Sequence, residues 1–275
     1  MRHITINGIT AEYLPVMDRG LHYGDGLFET IACIDNHIQF WDEHIERMRS
    51  GAERLYIDTS AIDHFSTDVN TMLAQHKISN CVIKLILTRG QGERGYLSPS
   101  PQHPTRIVIL SDLPKYPDTN NTSGIDTCYC SHTISRNRNL AGIKHLNRLD
   151  NVLARNEWHD EYQEGLMLDE NENIVEGTMS NVFVVKQKQL FTPLLDDCGI
   201  DGIIRSQVLS IAQKYDIDTF VTDITKSDMT EMDEIFICNS LIGIWPVKSL
   251  ADKNYHVGDI TKKISQALKK RMQAQ

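Results

Sequence analysis

The stretch "PKYPDTNNTSG", residues 114–124, is rich in Pro, Asn, Ser and Gly and carries no apolar periodicity. It stands between two blocks that each combine strand signals with amphipathic helices, so the chain reads as two folding blocks rather than one. A length of 275 residues exceeds a typical single domain and is enough for two cores. We expect an N-terminal α+β domain over 1–113, a linker over 114–124 and a C-terminal domain over 125–275.

In the first block, "HITINGITAEYL" sets Asn-Gly between two strand-like runs, the pattern of a tight hairpin. A strand follows in "LFETIACID", turned at Asp35-Asn36. "FWDEHIERMRSGAERL" spaces Phe40, His44, Ile45, Met48 and Leu55 at helical intervals, with Asp42 as the expected cap. "CVIKLILTRG" and "TRIVILSDL" read as two more strands, separated by the loop "GQGERGYLSPSPQHP".

The second block opens with a strand around "DTCYCSHT" and continues with strands in "EGLMLD", "IVEG", "NVFVV" and "EIFICNS". "IIRSQVLSIAQKY" is expected to be a helix with Ile204, Val208, Leu209 and Ile211 inward, and "DITKKISQALKKRMQ" closes the chain as another.

The formal charge of −9 disfavours a nucleic-acid binder, which needs clustered cations to release counterions. Six scattered cysteines without a CxxC pair or a histidine at zinc spacing suggest reduced thiols and no metal site. No apolar run nears the ~20 residues that span a bilayer, and "MRHITINGIT" lacks a signal-peptide core, so a cytoplasmic protein is expected.

Within "AGIKHLNRLDNVLAR", apolar residues at Leu146, Leu149, Val152 and Leu153 predict a helix with one buried stripe, and Lys144 stands just ahead of it. A lysine there either extends its stem and reaches water, or sits in a pocket with its amine available as a nucleophile. Other groups in the chain match what pyridoxal phosphate requires: an amine for a Schiff base, a carboxylate for the ring nitrogen and donors for the phosphate. Glu176 ends a strand in "NIVEGTMSNVF", "GIDGIIRSQVL" puts a glycine turn before a helix, and Ser240 and Arg47 offer a hydroxyl and a charge. Each alone also has an ordinary structural explanation.

The order of "DRGLHYGDGLFET", "HIERM", "EGTMSNVF", "GIIR" and "NSLIGIWPV" resembles the fold-type-IV pyridoxal phosphate enzymes. That resemblance implies a two-domain fold, with a small N-terminal α/β sandwich and a larger C-terminal pseudo-barrel. It implies that Lys144 holds the cofactor, that Glu176 faces the ring nitrogen, and that Arg47, the backbone at Ile203 and Ile204, and Ser240 hold the phosphate. It also implies a homodimer.

"LTRGQGERGY" and "AGIKHLNRL" are similar to the aminodeoxychorismate lyase branch, which implies aminodeoxychorismate as substrate and a synthase as the partner that could supply it. By the same resemblance Arg94, with Tyr96 nearby, faces the substrate carboxylate. Lys144 would act as general base, and Thr30 either offers a hydroxyl to the pocket or packs as a strand threonine. "EGTMSNVF" reads like the aminotransferases, which leaves D-amino-acid or branched-chain amine transfer as the alternative. A non-catalytic dimeric binding protein is a more remote one.

Overall fold

The computed structural model describes residues 2–274, and the chain divides into two compact units. The first unit holds the chain up to Pro114 and takes back the short segment Ile143–Asn147; the second holds Lys115–Gly142 and Arg148–Ala274. Both regions of the expected α+β and pseudo-barrel design are present, with mixed helix and strand in each.

The first unit begins with the hairpin β1 (Arg2–Ile6) and β2 (Ile9–Thr10), whose Asn7 and Gly8 both take positive φ as its tight turn demands. The short helix α1 (Arg19–Tyr23) leads to β3 (Gly26–Ile34) and β4 (His37–Ile38). Helices α2 (Trp41–Arg54) and α3 (Phe65–His76) follow, then β5 (Cys81–Thr88) and β6 (Thr105–Ser111). These strands form one antiparallel sheet in the order β2-β1-β6-β5-β3-β4. Met48, Phe65, Val69 and Met72 from the helices meet Leu27, Ile31, Ile83, Leu85 and Leu87 from the sheet in one core.

The expected cap of α2 needs correction. Asp42 lies inside the first turn, and the cap position belongs to Phe40, held at φ 53 with its ring buried. Asp42 therefore acts on the helix through its charge near the N-terminus and not as a cap.

The second unit starts in the region expected as a linker. Helix α4 (Thr119–Thr122) buries Asn120, and Tyr116 packs edge-on to Trp245 with ring centroids 4.7 Å apart. After β7 (Ile125–Tyr129) and helix α5 (Leu149–Arg155) come β8 (Glu164–Leu168), β9 (Ile174–Gly177), β10 (Asn181–Lys186) and β11 (Gln189–Pro193). Helix α6 (Ile203–Lys214), β12 (Thr219–Thr222), β13 (Glu234–Asn239), β14 (Gly243–Leu250), β15 (Lys253–Asn254) and helix α7 (Asp259–Gln273) complete it.

The main path of this mixed sheet is β12-β11-β10-β13-β14-β7-β8-β9, with β15 beside β14. Terminal strand β9 also approaches β10 and β11, which curls the sheet toward a barrel. Every residue of β8 and β9 is buried, as befits strands covered on both faces.

The stripe predicted from Leu146 also differs. Residues 144–146 pair with β3: Lys144 O accepts from Phe28 N at 3.0 Å, and Leu146 N donates to Gly26 O at 3.0 Å. That extended pairing delays the helix to Leu149. Leu149, Val152 and Leu153 then lie 75%, 50% and 53% exposed, so the apolar face points outward. On α6, Leu209 is half-buried, while Ile204, Val208 and Ile211 are buried as expected.

Candidate active site

In the first unit the alternation of β3 turns Leu27, Glu29 and Ile31 to one side and Phe28 and Thr30 to the other. Glu29 thus enters an apolar layer, its side chain only 1% exposed. One turn of α2 answers it with two groups. Arg47 donates from Nε to Glu29 Oε1 at 2.8 Å and from Nη2 to Oε2 at 2.5 Å, and His44 Nδ1 lies 2.6 Å from Oε2. Burial alone would raise the Glu29 pKa, but the Arg47 charge and the His44 hydrogen bond bring it down to about 2. Burial pushes the His44 pKa down, against the opposing pull of Glu29.

Lys144 sits in the segment paired to β3, with its Nζ 4.4 Å from the centroid of the Phe28 ring. Its charge is felt at His44, so Lys144, His44, Arg47 and Glu29 form one electrostatic group. Thr30 follows Phe28 by two residues on the same strand face, half-buried and in register with Lys84. Arg94 and Tyr96 are exposed on the loop after β5, and the Tyr96 ring lies 5.4 Å from that of Tyr23.

In the second unit Glu176 is buried on β9, and its Oε2 accepts from Ile200 N at 2.8 Å. Arg148 contributes a cation whose charge interacts with it. Ile200 O in turn accepts from Asn181 Nδ2 at 2.8 Å, tying the turn before α6 to β10. At Gly202, the residue before α6, a Cβ would run into Asn181 Oδ1, so the close approach requires glycine. The first turn of α6 has neither a side-chain cap nor an acidic residue, and Ile203 and Ile204 open it. Backbone N–H groups at such a helix start can receive an anion. Ser240 is half-buried just after β13, where Asn239 Oδ1 accepts from Leu241 N and Ile242 N.

Sequence reasoning passed over Glu29, His44 as its partner, and Glu164. The inward parity of Leu27, Glu29 and Ile31 was a usable signal for the first. Glu164 is fully buried and accepts from Thr178 N and Thr178 Oγ1, Met179 N and Ser180 Oγ, which folds the turn following Glu176 around one carboxylate.

The sequence profile described as amino-transferase class IV matches residues 26–250, and the chain belongs to that family. It is 31% identical to an aminodeoxychorismate lyase from Vibrio harveyi, over 94% of this chain and 97% of the relative. Among solved structures, 4-amino-4-deoxychorismate lyase from Pseudomonas aeruginosa superposes with a TM-score of 0.92 at 38% identity, covering 97% of this chain and 98% of that one. A branched-chain aminotransferase from Escherichia coli gives 0.88 at 26% identity, covering 98% and 94%.

Proposed function

We propose that the protein is a pyridoxal-phosphate-dependent 4-amino-4-deoxychorismate lyase that forms 4-aminobenzoate and pyruvate. The observation that carries this reading is the likeness to the solved Pseudomonas aeruginosa lyase over nearly the whole of both chains, at 38% identity against 26% for the solved Escherichia coli branched-chain aminotransferase. The residues suit the cofactor chemically. Lys144 is a primary amine against an aromatic ring, and Glu176 is a buried carboxylate. The glycine turn before α6 leaves backbone donors at Ile203 and Ile204.

In this reading Lys144 holds the cofactor through Nζ and Glu176 serves the ring nitrogen. Arg47, the backbone at Ile203 and Ile204, and Ser240 take the phosphate. When bound, pyridoxal phosphate supplies an electron sink that acidifies the substrate carbon bearing the amine. Lys144 Nζ, freed once the substrate amine has taken its place, would take the proton from that carbon. The C–O bond on the neighbouring carbon breaks and the ring becomes aromatic. Lys144 Nζ then returns the proton to the methylene carbon of the departing enolpyruvate, which leaves as pyruvate. Thr30 shares a strand face with Phe28, the ring that meets Lys144, so we assign its hydroxyl to the leaving group. Arg94 takes the substrate carboxylate, with Tyr96 beside it.

We further infer a homodimer, because the exposed Leu149, Val152 and Leu153 make an apolar helix face suited to a second copy. Light scattering should give twice the chain mass, and a monomer would overturn the inference. Six free thiols favour a reducing compartment, so we assign the protein to the cytoplasm.

The test is a product assay. Cofactor-loaded protein given aminodeoxychorismate should yield equal amounts of 4-aminobenzoate and pyruvate, and Lys144→Ala should lower the rate about a thousandfold or more. Glutamate from D-alanine or leucine with 2-oxoglutarate, and no 4-aminobenzoate, would make it an aminotransferase instead.

A further inference from the structure

Arg19 is a buried cation that the reaction does not use, in the motif "DRGLHYGDG". Its guanidinium grips the main chain of a distant loop. Nη1 donates to Gly95 O at 2.9 Å and to Leu97 O at 3.3 Å, while Nη2 donates to Tyr96 O at 3.1 Å. Nε is fixed by Asp25 Oδ2 at 2.8 Å, and Asp25 is itself held by Arg89 from Nε and Nη2 at 2.8 and 3.0 Å. Arg89 is anchored on the carbonyls of Leu55 and Tyr56. The guanidinium therefore has a rigid mount.

The loop is shaped to receive it. At Gly92 a Cβ would lie 2.9 Å from Arg19 Cδ, so glycine leaves room for the stem. Tyr23 stacks its ring beneath the guanidinium at 4.9 Å and accepts from Gly95 N through its hydroxyl at 3.2 Å. Three successive carbonyls and one amide are thus held from below, while the Tyr96 and Leu97 side chains are 86% and 92% exposed above. A pinned backbone under exposed side chains lowers the ordering cost of recognition.

We propose that Arg19 is a positioning residue for substrate recognition, holding the 93–97 loop so that Arg94 and Tyr96 are presented to the substrate carboxylate. This rests on the roles given above to Arg94 and Tyr96. Lysine at this position would keep the charge and the Asp25 pair but cannot span three carbonyls.

The experiment compares Arg19→Lys and Tyr23→Phe with the wild-type holoenzyme. Hydrogen exchange of the 93–97 amides, KM, kcat and pyridoxal phosphate affinity are measured for each. In Arg19→Lys we expect faster loop exchange and a KM raised about tenfold, with kcat and cofactor affinity within about twofold of wild type. Tyr23→Phe should show the same pattern more weakly, and it decides the matter if Arg19→Lys does not fold. Unchanged loop exchange overturns the proposal whatever the substrate, and so does a KM change matched by weaker cofactor binding. Wild-type enzyme that makes no 4-aminobenzoate would sink the lyase reading alone. KM would then be taken for whichever of D-alanine or leucine is turned over.

Discussion

In the first unit the buried Glu29 and the half-buried Asp25 are answered largely by cations, whereas in the second the buried Glu164 and Glu234 are answered largely by backbone amides. Glu29 is held by Arg47 and His44, and Asp25 by Arg19 and Arg89. Glu164 instead accepts from the amides of Gly165, Thr178 and Met179, and Glu234 from those of Ile260 and Thr261. Asp18 is the exception in the first unit, serving Gly20 N and the hydroxyls of Thr88 and Thr105. The contrast separates two tasks. A cation pair fixes where a side chain points, which suits Arg47 and Arg19. A carboxylate bonded to amides fixes the path of the main chain, which suits the turn after Glu176 and the start of α7.

The two arrangements should fail differently, and the largest effect is expected at Glu29. Glu29→Gln removes the negative charge and leaves the Arg47 cation buried without it, which should cost about 3 kcal/mol at pH 7. The cost should depend on pH in a defined sense. The folded pKa of Glu29 is about 2 against an ordinary 4.5, so its contribution is fully present above pH 4.5 and is lost as pH falls toward 2. Urea midpoints at pH 7 and pH 3 should therefore show the difference between wild type and variant shrinking by roughly half or more. His44 adds to acid sensitivity earlier. Its folded pKa lies below the ordinary 6.5, so its contribution is present above pH 6.5 and erodes as pH drops below it. A Glu29→Gln penalty that is the same at pH 3 and pH 7 would break the contrast.

Much of the local structure was legible because short-range chemistry dictates it. Asn7-Gly8 specifies its turn, and α2, α6 and α7 follow from apolar spacing. The spacing of Leu149, Val152 and Leu153 correctly put them on one helix face, but periodicity does not say what covers a face, and here it is exposed. The late start of α5 was hidden for a related reason: residues 144–146 are drawn into extended pairing by β3, more than a hundred positions earlier. Helix α3 was missed although Phe65, Val69 and Met72 carry its inward spacing. Motif order proposes Lys144, Glu176, Arg47 and Ser240 for the site and says nothing of what holds them. The supports are long-range: Glu29 meets Arg47 across 18 residues, and Arg19 meets Tyr96 across 77.

A smaller loss, about 2 kcal/mol, is expected from Glu164→Gln. The variant keeps the shape and one acceptor, but its amide nitrogen must face donors. Oε1 takes Thr178 N at 3.0 Å and Thr178 Oγ1 at 2.5 Å, while Oε2 takes Met179 N at 3.2 Å and Ser180 Oγ at 2.8 Å. Whichever way the amide is turned, one of these sets meets a donor, and only the hydroxyls can rotate to accommodate it. The turn has little room to rearrange: a Cβ at Gly177 would lie 2.8 Å from Glu164 Oε2. Among the described residues no cation pairs with Glu164, so the penalty should stay below that of Glu29→Gln. It should appear locally, as faster hydrogen exchange at the Thr178 and Met179 amides, before it appears in the urea midpoint. A loss equal to or above that of Glu29→Gln, or one without local opening of the turn, would mean that the amide-bound carboxylates carry the fold as heavily as the cation-paired ones do.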